Sequence, residues 1–218
     1  MSNEKEIIAK RIANELKEGY VVNLGIGLPT LVANYIPDDF DIILQSENGM
    51  VRMGPAPEKG KEDFEITNAG GVPVTVLKGG AFFDSALSFT IIRGGHVDLT
   101  VLGALQIDET GSLASHIVPG ERVPGMGGAM DLIVGSKKVI VATTHTVKGG
   151  GMKILKKCTL PLTAVAKVNT IVTELAYMEV TENGLLLKEI AEGTTVEYVQ
   201  SLTEPTLIID NELKTFSI

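Results

Sequence analysis

The apolar run Ile42-Ile43-Leu44 leads through Gln45 into Ser46-Glu47-Asn48-Gly49, and the expected architecture follows from this stretch. Apolar residues that give way to polar turn residues and glycine indicate a buried β-strand followed by a sharp turn. Open α/β sheets bind ligands just beyond the carboxyl ends of their strands, which is where this turn falls. Glutamate is an unfavourable turn residue unless its carboxylate is used, so we interpret Glu47 as a candidate nucleophile.

The composition predicts one α/β domain covering residues 1–218. The chain has 218 residues, of which 44% are hydrophobic and 5% aromatic, and it contains no tryptophan. Its core must therefore be built from valine, isoleucine, leucine and alanine, which suits buried parallel strands. Many of the 24 glycines follow apolar runs, as strand-to-helix turns require.

Charge and cysteine content argue against several classes of function. A net charge of −8 without a basic stripe argues against nucleic-acid binding. The single cysteine, Cys158, excludes an intramolecular disulfide and a cysteine-cluster metal site. The three histidines lack the spacing of metal ligands. No apolar run reaches the length of a membrane span, so we expect no membrane contact and a cytoplasmic location.

Hydrophobic periodicity and turn residues predict the elements along the chain. Helices are expected over 4–18, after Pro29, over 84–92 and over 196–200. Strands are expected over 20–24, 41–45, 72–77, 96–103, 139–142 and 171–173, with hairpins over 105–114 and 178–187. We expect Gly79 and Gly80 to end the strand over 72–77, a turn at Asp38-Asp39, and a glycine- and proline-rich loop over 119–128.

Gly25 and Gly27 stand between the first strand and the second helix. A glycine-rich segment before a helix N-terminus can bind an anion. The third glycine of the dinucleotide fingerprint is missing, so a nicotinamide cofactor is not expected. As isolated residues, these two glycines are turn-formers first and a wall for a ligand second.

Five stretches, taken together, resemble the B subunit of the family I CoA-transferases, the 3-oxoacid and short-chain fatty acid enzymes. In chain order they are Asn23-Leu24-Gly25-Ile26-Gly27-Leu28-Pro29, Ser46-Glu47-Asn48-Gly49, Ile92-Arg93-Gly94-Gly95-His96-Val97-Asp98, Gly125-Met126-Gly127-Gly128-Ala129-Met130-Asp131 and Lys157-Cys158-Thr159-Leu160-Pro161-Leu162-Thr163. The similarity runs from about residue 4 to about residue 200. It implies an open, mainly parallel α/β sheet flanked by helices, on a scaffold that also hosts sugar-phosphate isomerases of the ribose-5-phosphate type.

The resemblance also implies roles for particular residues. Glu47 would be the nucleophile, and the backbone N–H of Gly128 would donate to the oxyanion of the tetrahedral intermediates. The residues that would bind substrate around them are Asn23, Gly25, Gly27, Asn48 and Gly127. The family usually has glycine where this chain has Arg52, a departure that puts the acyl preference in question and leaves the nucleophile unaffected.

The chemistry implied by the resemblance is ping-pong transfer of CoA between carboxylic acids through a glutamyl–CoA thioester. It implies a CoA-transferase A subunit as partner, in an assembly of two A and two B chains. Acyl-CoA and small carboxylic acids would be the ligands. Because the thioester energy stays on the enzyme, neither a cofactor nor a metal is expected.

The residues alone leave plainer interpretations open. Glu47 could equally be a solvated turn residue, and Gly127 and Gly128 could simply shape a tight turn. Three other functions also stay open: an acyl-CoA hydrolase on the same scaffold, a non-enzymatic ligand-sensing or assembly module, and a sugar-phosphate isomerase. Acid-dependent exchange of CoA would exclude the first, and labelling of Glu47 by acyl-CoA would exclude the second.

Overall fold

The computed structural model describes residues 2–37, 39–120 and 125–217. The helices are α1 (Ser2–Ala13), α2 (Ser85–Arg93), α3 (Ala129–Gly135) and α4 (Val196–Ser201), with a 3-10 helix over Leu28–Tyr35. The first seven strands are β1 (Val21–Leu24), β2 (Ile43–Ser46), β3 (Met50–Met53), β4 (Val76–Phe82), β5 (Leu99–Leu102), β6 (Gln106–Asp108) and β7 (Leu113–Ala114). The others are β8 (Lys138–Ala142), β9 (Ile154–Leu155), β10 (Thr170–Val172), β11 (Ala176–Thr181), β12 (Gly184–Ala191) and β13 (Ile208–Phe216).

Within the described residues, ten strands form one sheet in the order β13-β12-β11-β10-β8-β5-β1-β2-β3-β4. The five central strands, from β10 to β2, pair in parallel. Antiparallel strands flank them: β3 and β4 on one side, β11 and β12 on the other. The expected open, mainly parallel α/β sheet is confirmed, and the carboxyl ends of its central strands meet at one edge.

The sheet is covered on both faces, as buried parallel strands require. Val139 and Val141 of β8 pack in the core that also contains Ile92 of α2. Ile140, between them, packs in the core that contains Ile8 of α1. This alternation follows from the two-residue period of a strand, and it explains why β8 is apolar at nearly every position.

Several elements lie close to their expected positions. Helices α2 and α4 are capped at their N-termini by Asp84 and Thr195, whose side chains accept hydrogen bonds from the backbone N–H groups of Leu87 and Tyr198. The hairpin over 178–187 is formed by β11 and β12, and the one over 105–114 by β6 and β7. With β9, these last two make a separate three-stranded sheet.

Two expectations about boundaries were wrong, and one expected helix has a tighter geometry. Helix α1 ends at Ala13 rather than residue 18, because the chain beyond it tightens into i→i+3 hydrogen bonds such as Glu15 N–H to Ile12 C=O at 2.9 Å. The helix expected at Pro29 is present over Leu28–Tyr35, with Pro29 in its first turn, and it is a 3-10 helix. The strand expected over 72–77 runs over Val76–Phe82 instead, with Gly79 and Gly80 inside it.

Parts of two expected turns lie outside the described residues. These parts are residues 121–124 of the loop over 119–128, and Asp38 of the turn before β2.

Candidate active site

Glu47 lies in the tight turn that joins β2 to β3, at the edge where the parallel strands end. The turn is closed by a hydrogen bond from Gly49 N–H to Ser46 C=O at 3.0 Å. Gly49 has a φ of 122°, and a Cβ there would lie 1.9 Å from the carbonyl oxygen of Phe83. Only glycine fits this position, and its small size lets the turn pack directly against the segment before α2. This packing fixes the backbone at Glu47.

A buried amide network holds the Glu47 carboxylate. Asn23 Nδ2 donates to Glu47 Oε2 at 3.1 Å and to Gln45 Oε1 at 2.7 Å. Gln45 Nε2 in turn donates to Ser88 Oγ on α2 at 3.0 Å. Asn23 and Ser88 are fully buried and Gln45 nearly so. Reversing the Asn23 amide would point its oxygen at two other acceptors, so the network fixes which group faces Glu47.

Gly128 lies beside the Glu47 side chain, at the start of α3. A Cβ on Gly128 would stand 3.3 Å from Glu47 Cγ and 3.2 Å from two ring atoms of Phe89 on α2. The backbone N–H of Gly128 has no hydrogen-bond acceptor among the described residues. The structure therefore brings together the two residues for which a catalytic role is expected, although they come from distant parts of the chain.

The other expected site residues differ in their local surroundings. Gly25 closes the end of β1 through a hydrogen bond from its N–H to Val101 C=O at 2.8 Å. Gly27 directly precedes the 3-10 helix and has a φ of 88°, and Gly127 has a φ of 53°; a Cβ on either would meet open space. Asn48 is exposed and donates to Thr67 C=O at 2.7 Å, so in this structure its amide is engaged with the protein.

Sequence reasoning missed Gln45, Ser88 and Phe89. Gln45 directly follows the apolar run Ile42-Ile43-Leu44 and still belongs to β2, and a polar residue at the end of a buried strand is a signal that could have been used. Ser88 and Phe89 carry no comparable signal, because their positions on α2 become meaningful only when the helix is docked against β2 and α3.

Arg52, the residue that departs from the family pattern, turns away from the Glu47 carboxylate. It has a φ of 57° and sits where the β3–β4 register shifts, between Val51 and Met53. Its guanidinium makes two 2.8 Å hydrogen bonds to the carboxylate of Asp41. The Arg52 guanidinium lowers the pKa of the Asp41 carboxyl from its ordinary value. The departure thus lies at a backbone position that suits glycine, with its charge already paired.

A second polar cluster lies at the ends of β8 and β10. His145 is fully buried between the hydroxyl groups of Thr173 and Thr203, at 2.9 Å from each, and burial lowers its pKa to about 4. Burial raises the pKa of the nearby Glu174 carboxyl, which accepts from the His145 backbone N–H. Burial lowers the pKa of Lys153, whose ammonium donates to two threonine hydroxyls. The hydrogen bonds of these groups connect the segments that follow β8, β10 and α4.

Cys158 is a half-buried structural thiol. Burial, followed by the charge of Asp108, raises its pKa to about 12. Its neighbours Lys156 and Lys157 do not activate it.

Metal-binding clusters and membrane-spanning helices are both absent from the described part of the chain. Residues 2–37, 39–120 and 125–217 contain no group of three or more His, Cys, Asp or Glu side chains placed to hold a metal ion. In the same ranges, no helix combines the length and apolar character needed to cross a membrane.

Comparison with known proteins identifies the family. A family model described as Coenzyme A transferase matches residues 5–202. The beta subunit of the acetate CoA-transferase of Haemophilus influenzae is 52% identical over 216 residues, which cover 99% of this chain and 96% of that one. The B subunit of the succinyl-CoA:3-ketoacid coenzyme A transferase of Helicobacter pylori is 48% identical over 200 residues, covering 92% and 96%.

A solved structure agrees on the fold. The crystal structure of an acyl-CoA transferase apoenzyme from Escherichia coli O157:H7 superposes with a TM-score of 0.79 at 23% identity, covering 98% of this chain and 43% of that chain. This chain therefore spans less than half of that longer one. On the family model and on the identity to near full-length relatives, the chain belongs to the coenzyme A transferase family.

Proposed function

We propose that this chain carries the nucleophile of a CoA-transferase, and that Glu47 is that nucleophile. The observation that supports it best is the position of Glu47, at the carboxyl end of β2 between the Asn23 amide and Gly128. A carboxylate is a weak nucleophile that must stay ionised, so it needs a donor where it is partly buried. Asn23 supplies that donor without adding a charge.

The reaction proceeds by covalent exchange at the Glu47 carboxylate. A carboxylate oxygen attacks the acyl carbonyl of an acyl-CoA, and the CoA thiolate leaves to give a mixed anhydride. The thiolate then attacks the glutamyl carbonyl, releasing the first carboxylic acid as its carboxylate and leaving a glutamyl–CoA thioester. A second carboxylate reverses both steps. The thioester energy is retained throughout, so the cycle needs neither metal nor cofactor.

Asn23 and Gly128 have different tasks in this cycle. The Gly128 N–H donates to the oxyanion that forms on the acyl group, and such a donor typically contributes about a hundredfold or more to the rate. Asn23 orients Glu47 and stays beside its carbonyl oxygen once the thioester has formed. Gly27 and Gly127 have open space beside their backbone, where the acyl group and the thiol arm can approach, whereas Gly25 is packed against Val101 and Leu102 and forms the wall of the site.

We further propose a partner and a substrate class. The named relatives are subunits, and the longer Escherichia coli chain contains sequence beyond the region matched here. We assign an A subunit as partner, in an assembly of two A and two B chains in the cytoplasm. The substrates are short-chain acyl or 3-oxoacyl groups, with succinyl-CoA and acetoacetate, or acetyl-CoA with butyrate or acetoacetate, as leading pairs.

The three alternative functions predict different products. In a hydrolase, water attacks the anhydride or the thioester and CoA is released. A sugar-phosphate isomerase would interconvert aldose and ketose without any thioester. A ligand-sensing module would turn over nothing. Family membership and identity to transferase subunits do not favour these alternatives.

Exchange kinetics test this proposal. The chain, co-expressed with its A subunit, is mixed with acetoacetyl-CoA and acetate, succinate or butyrate, and the new acyl-CoA and free CoA are quantified. We expect acid-dependent formation of the new thioester, parallel double-reciprocal lines, and loss of activity in Glu47→Gln. Release of free CoA at the same rate with and without acid would instead identify a hydrolase.

A further inference from the structure

The two residues on either side of Glu47 bind the same short segment of chain. Ser46 Oγ accepts a hydrogen bond from the backbone N–H of Ala69 at 3.0 Å. Asn48 Nδ2 donates to the backbone C=O of Thr67 at 2.7 Å. The nucleophile is therefore flanked by two side-chain bonds to backbone groups only two residues apart.

This segment, residues 66–74, is a self-closed hairpin. Its ends are joined by Val74 N–H to Ile66 C=O at 3.0 Å, and further in by Asn68 N–H to Val72 C=O at 2.9 Å. Asn68 Oδ1 caps the tip by accepting from the N–H groups of Gly70 and Val72 at 2.9 and 3.1 Å. A hairpin stiffened in this way can serve as a fixed support rather than a mobile loop.

The turn that carries Glu47 is supported on its other side as well. Phe83 N–H donates to Gly49 C=O at 3.0 Å, and the Gly49 Cα is packed against the Phe83 carbonyl. Glu47 thus stands between two backbone supports, the 66–74 hairpin and the segment before α2. Such support matters for a covalent mechanism, because the carboxyl carbon of Glu47 must keep its position relative to each attacking group while the group attached to it changes.

We propose that Ser46 and Asn48 are positioning residues, which fasten the 66–74 hairpin to the nucleophile's turn and so set where the Glu47 carboxylate stands relative to Asn23 and Gly128. This inference rests on the proposed role of Glu47. It gives Asn48 a task other than the substrate contact expected from the sequence. The two side chains act on one support, so their effects are coupled.

Substitutions with a matched control test the inference in the assembled enzyme. Asn48→Asp keeps the shape but replaces the donor with a carboxylate oxygen facing the Thr67 carbonyl, and Ser46→Ala removes the acceptor. Thr75→Ala is the control, because Thr75 directly follows the hairpin and its Oγ1 donates to Pro55 C=O at 2.8 Å rather than to the turn that carries Glu47. For each substitution kcat, KM and the fraction of glutamyl–CoA lost to water are measured.

We expect kcat to fall about tenfold or more in each of the two variants while KM stays within about twofold, since a displacement of about 1 Å can cost about a hundredfold. The fraction of glutamyl–CoA lost to water should rise. The double variant should lose less than the product of the two single losses. Thr75→Ala should match the wild type in all three quantities.

Two results would overturn the inference. A raised KM with unchanged kcat in Asn48→Asp would identify a direct substrate contact, and an equal loss in Thr75→Ala would identify a general destabilisation. The proposed function fails separately, if the wild-type enzyme itself forms no glutamyl–CoA adduct on exposure to acetoacetyl-CoA.

Discussion

The Asn23 amide donates hydrogen bonds to both Glu47 and Gln45, so replacing Asn23 should lower activity and stability together. We expect Asn23→Ala to lower kcat by about a hundredfold, as loss of an oriented donor does. The unpaired Gln45 should also lower the free energy of unfolding by about 1–3 kcal/mol. Steady-state kinetics well below the unfolding midpoint separate the two effects. Unchanged kcat would contradict a role for Asn23 at the carboxylate.

Gly128 lies so close to Glu47 that adding a single methyl group at Gly128 should lower activity. Its φ of −81° is open to any residue, so Gly128→Ala introduces no backbone strain. The added Cβ would press against Glu47 Cγ and the Phe89 ring and displace the carboxylate. Because the rate of a positioned nucleophile falls steeply with small displacements, we expect kcat to fall by about tenfold or more. The unfolding midpoint should change little. Full activity would show that this contact is not part of the site.

Arg52 gives a prediction about substrate preference. Its charge is paired with Asp41 and its backbone adopts a conformation that favours glycine. Arg52→Gly should therefore leave KM for the carboxylic acid unchanged and slightly raise the unfolding midpoint by relieving backbone strain. A raised KM for succinate relative to acetate would show instead that the guanidinium meets the acid.

Residue-level reasoning from the sequence found Glu47 and Gly128, which the structure brings together, because their motif resembles that of a known family. It missed Gln45 and Ser88, which support Asn23 from the strand below and the helix above. Those contacts depend on the docking of α2 over β2, and local sequence patterns do not encode the distance between two elements.

At the scale of elements, His145 connects the end of β8 to the end of β10 and to the segment after α4. The imidazole is neutral in the folded protein down to about pH 4, because burial lowers its pKa, whereas an unfolded histidine takes up a proton near pH 6.5. Below pH 6.5 the unfolded state therefore binds more protons, and the free energy of unfolding should fall between pH 6.5 and pH 4 by roughly 3 kcal/mol in all.

Urea unfolding at pH 7.5 and pH 5 measures this loss. We expect the difference between the two pH values to shrink in His145→Gln and to persist in His96→Gln, because His96 is exposed. An undiminished difference in His145→Gln would assign the pH dependence to other groups.

The elements best predicted from the sequence are those with local signals. Helix α2 begins where Asp84 caps it, and the β11–β12 hairpin turns at Glu182 and Asn183, directly before Gly184, as the Glu182-Asn183-Gly184 stretch indicates. Strand β4 was misplaced because Gly79 and Gly80 usually end a strand. Here Gly80 allows a close approach, since a Cβ on it would lie 3.0 Å from the carbonyl oxygen of Val51 on β3. That approach belongs to the strand pairing and is not visible in either segment alone.

For the whole molecule, composition indicated buried parallel strands, and the family resemblance implied that helices flank the sheet. Neither of them predicted the order of the strands. Strand β1 lies between β2 and β5, which places Asn23 beside Gln45 and below Glu47. Strand order depends on non-local pairing, and here it is what assembles the site.

Intact mass spectrometry of this chain, in complex with its A subunit and after exposure to acetoacetyl-CoA, tests the role of Glu47 most directly. We predict an added mass equal to coenzyme A less one water, absent in Glu47→Ala and discharged by succinate or acetate with formation of the corresponding acyl-CoA. The acid that discharges it fastest identifies the preferred substrate. An adduct that persists in Glu47→Ala, or acid-dependent turnover in that variant, would contradict the assignment of Glu47 as the nucleophile.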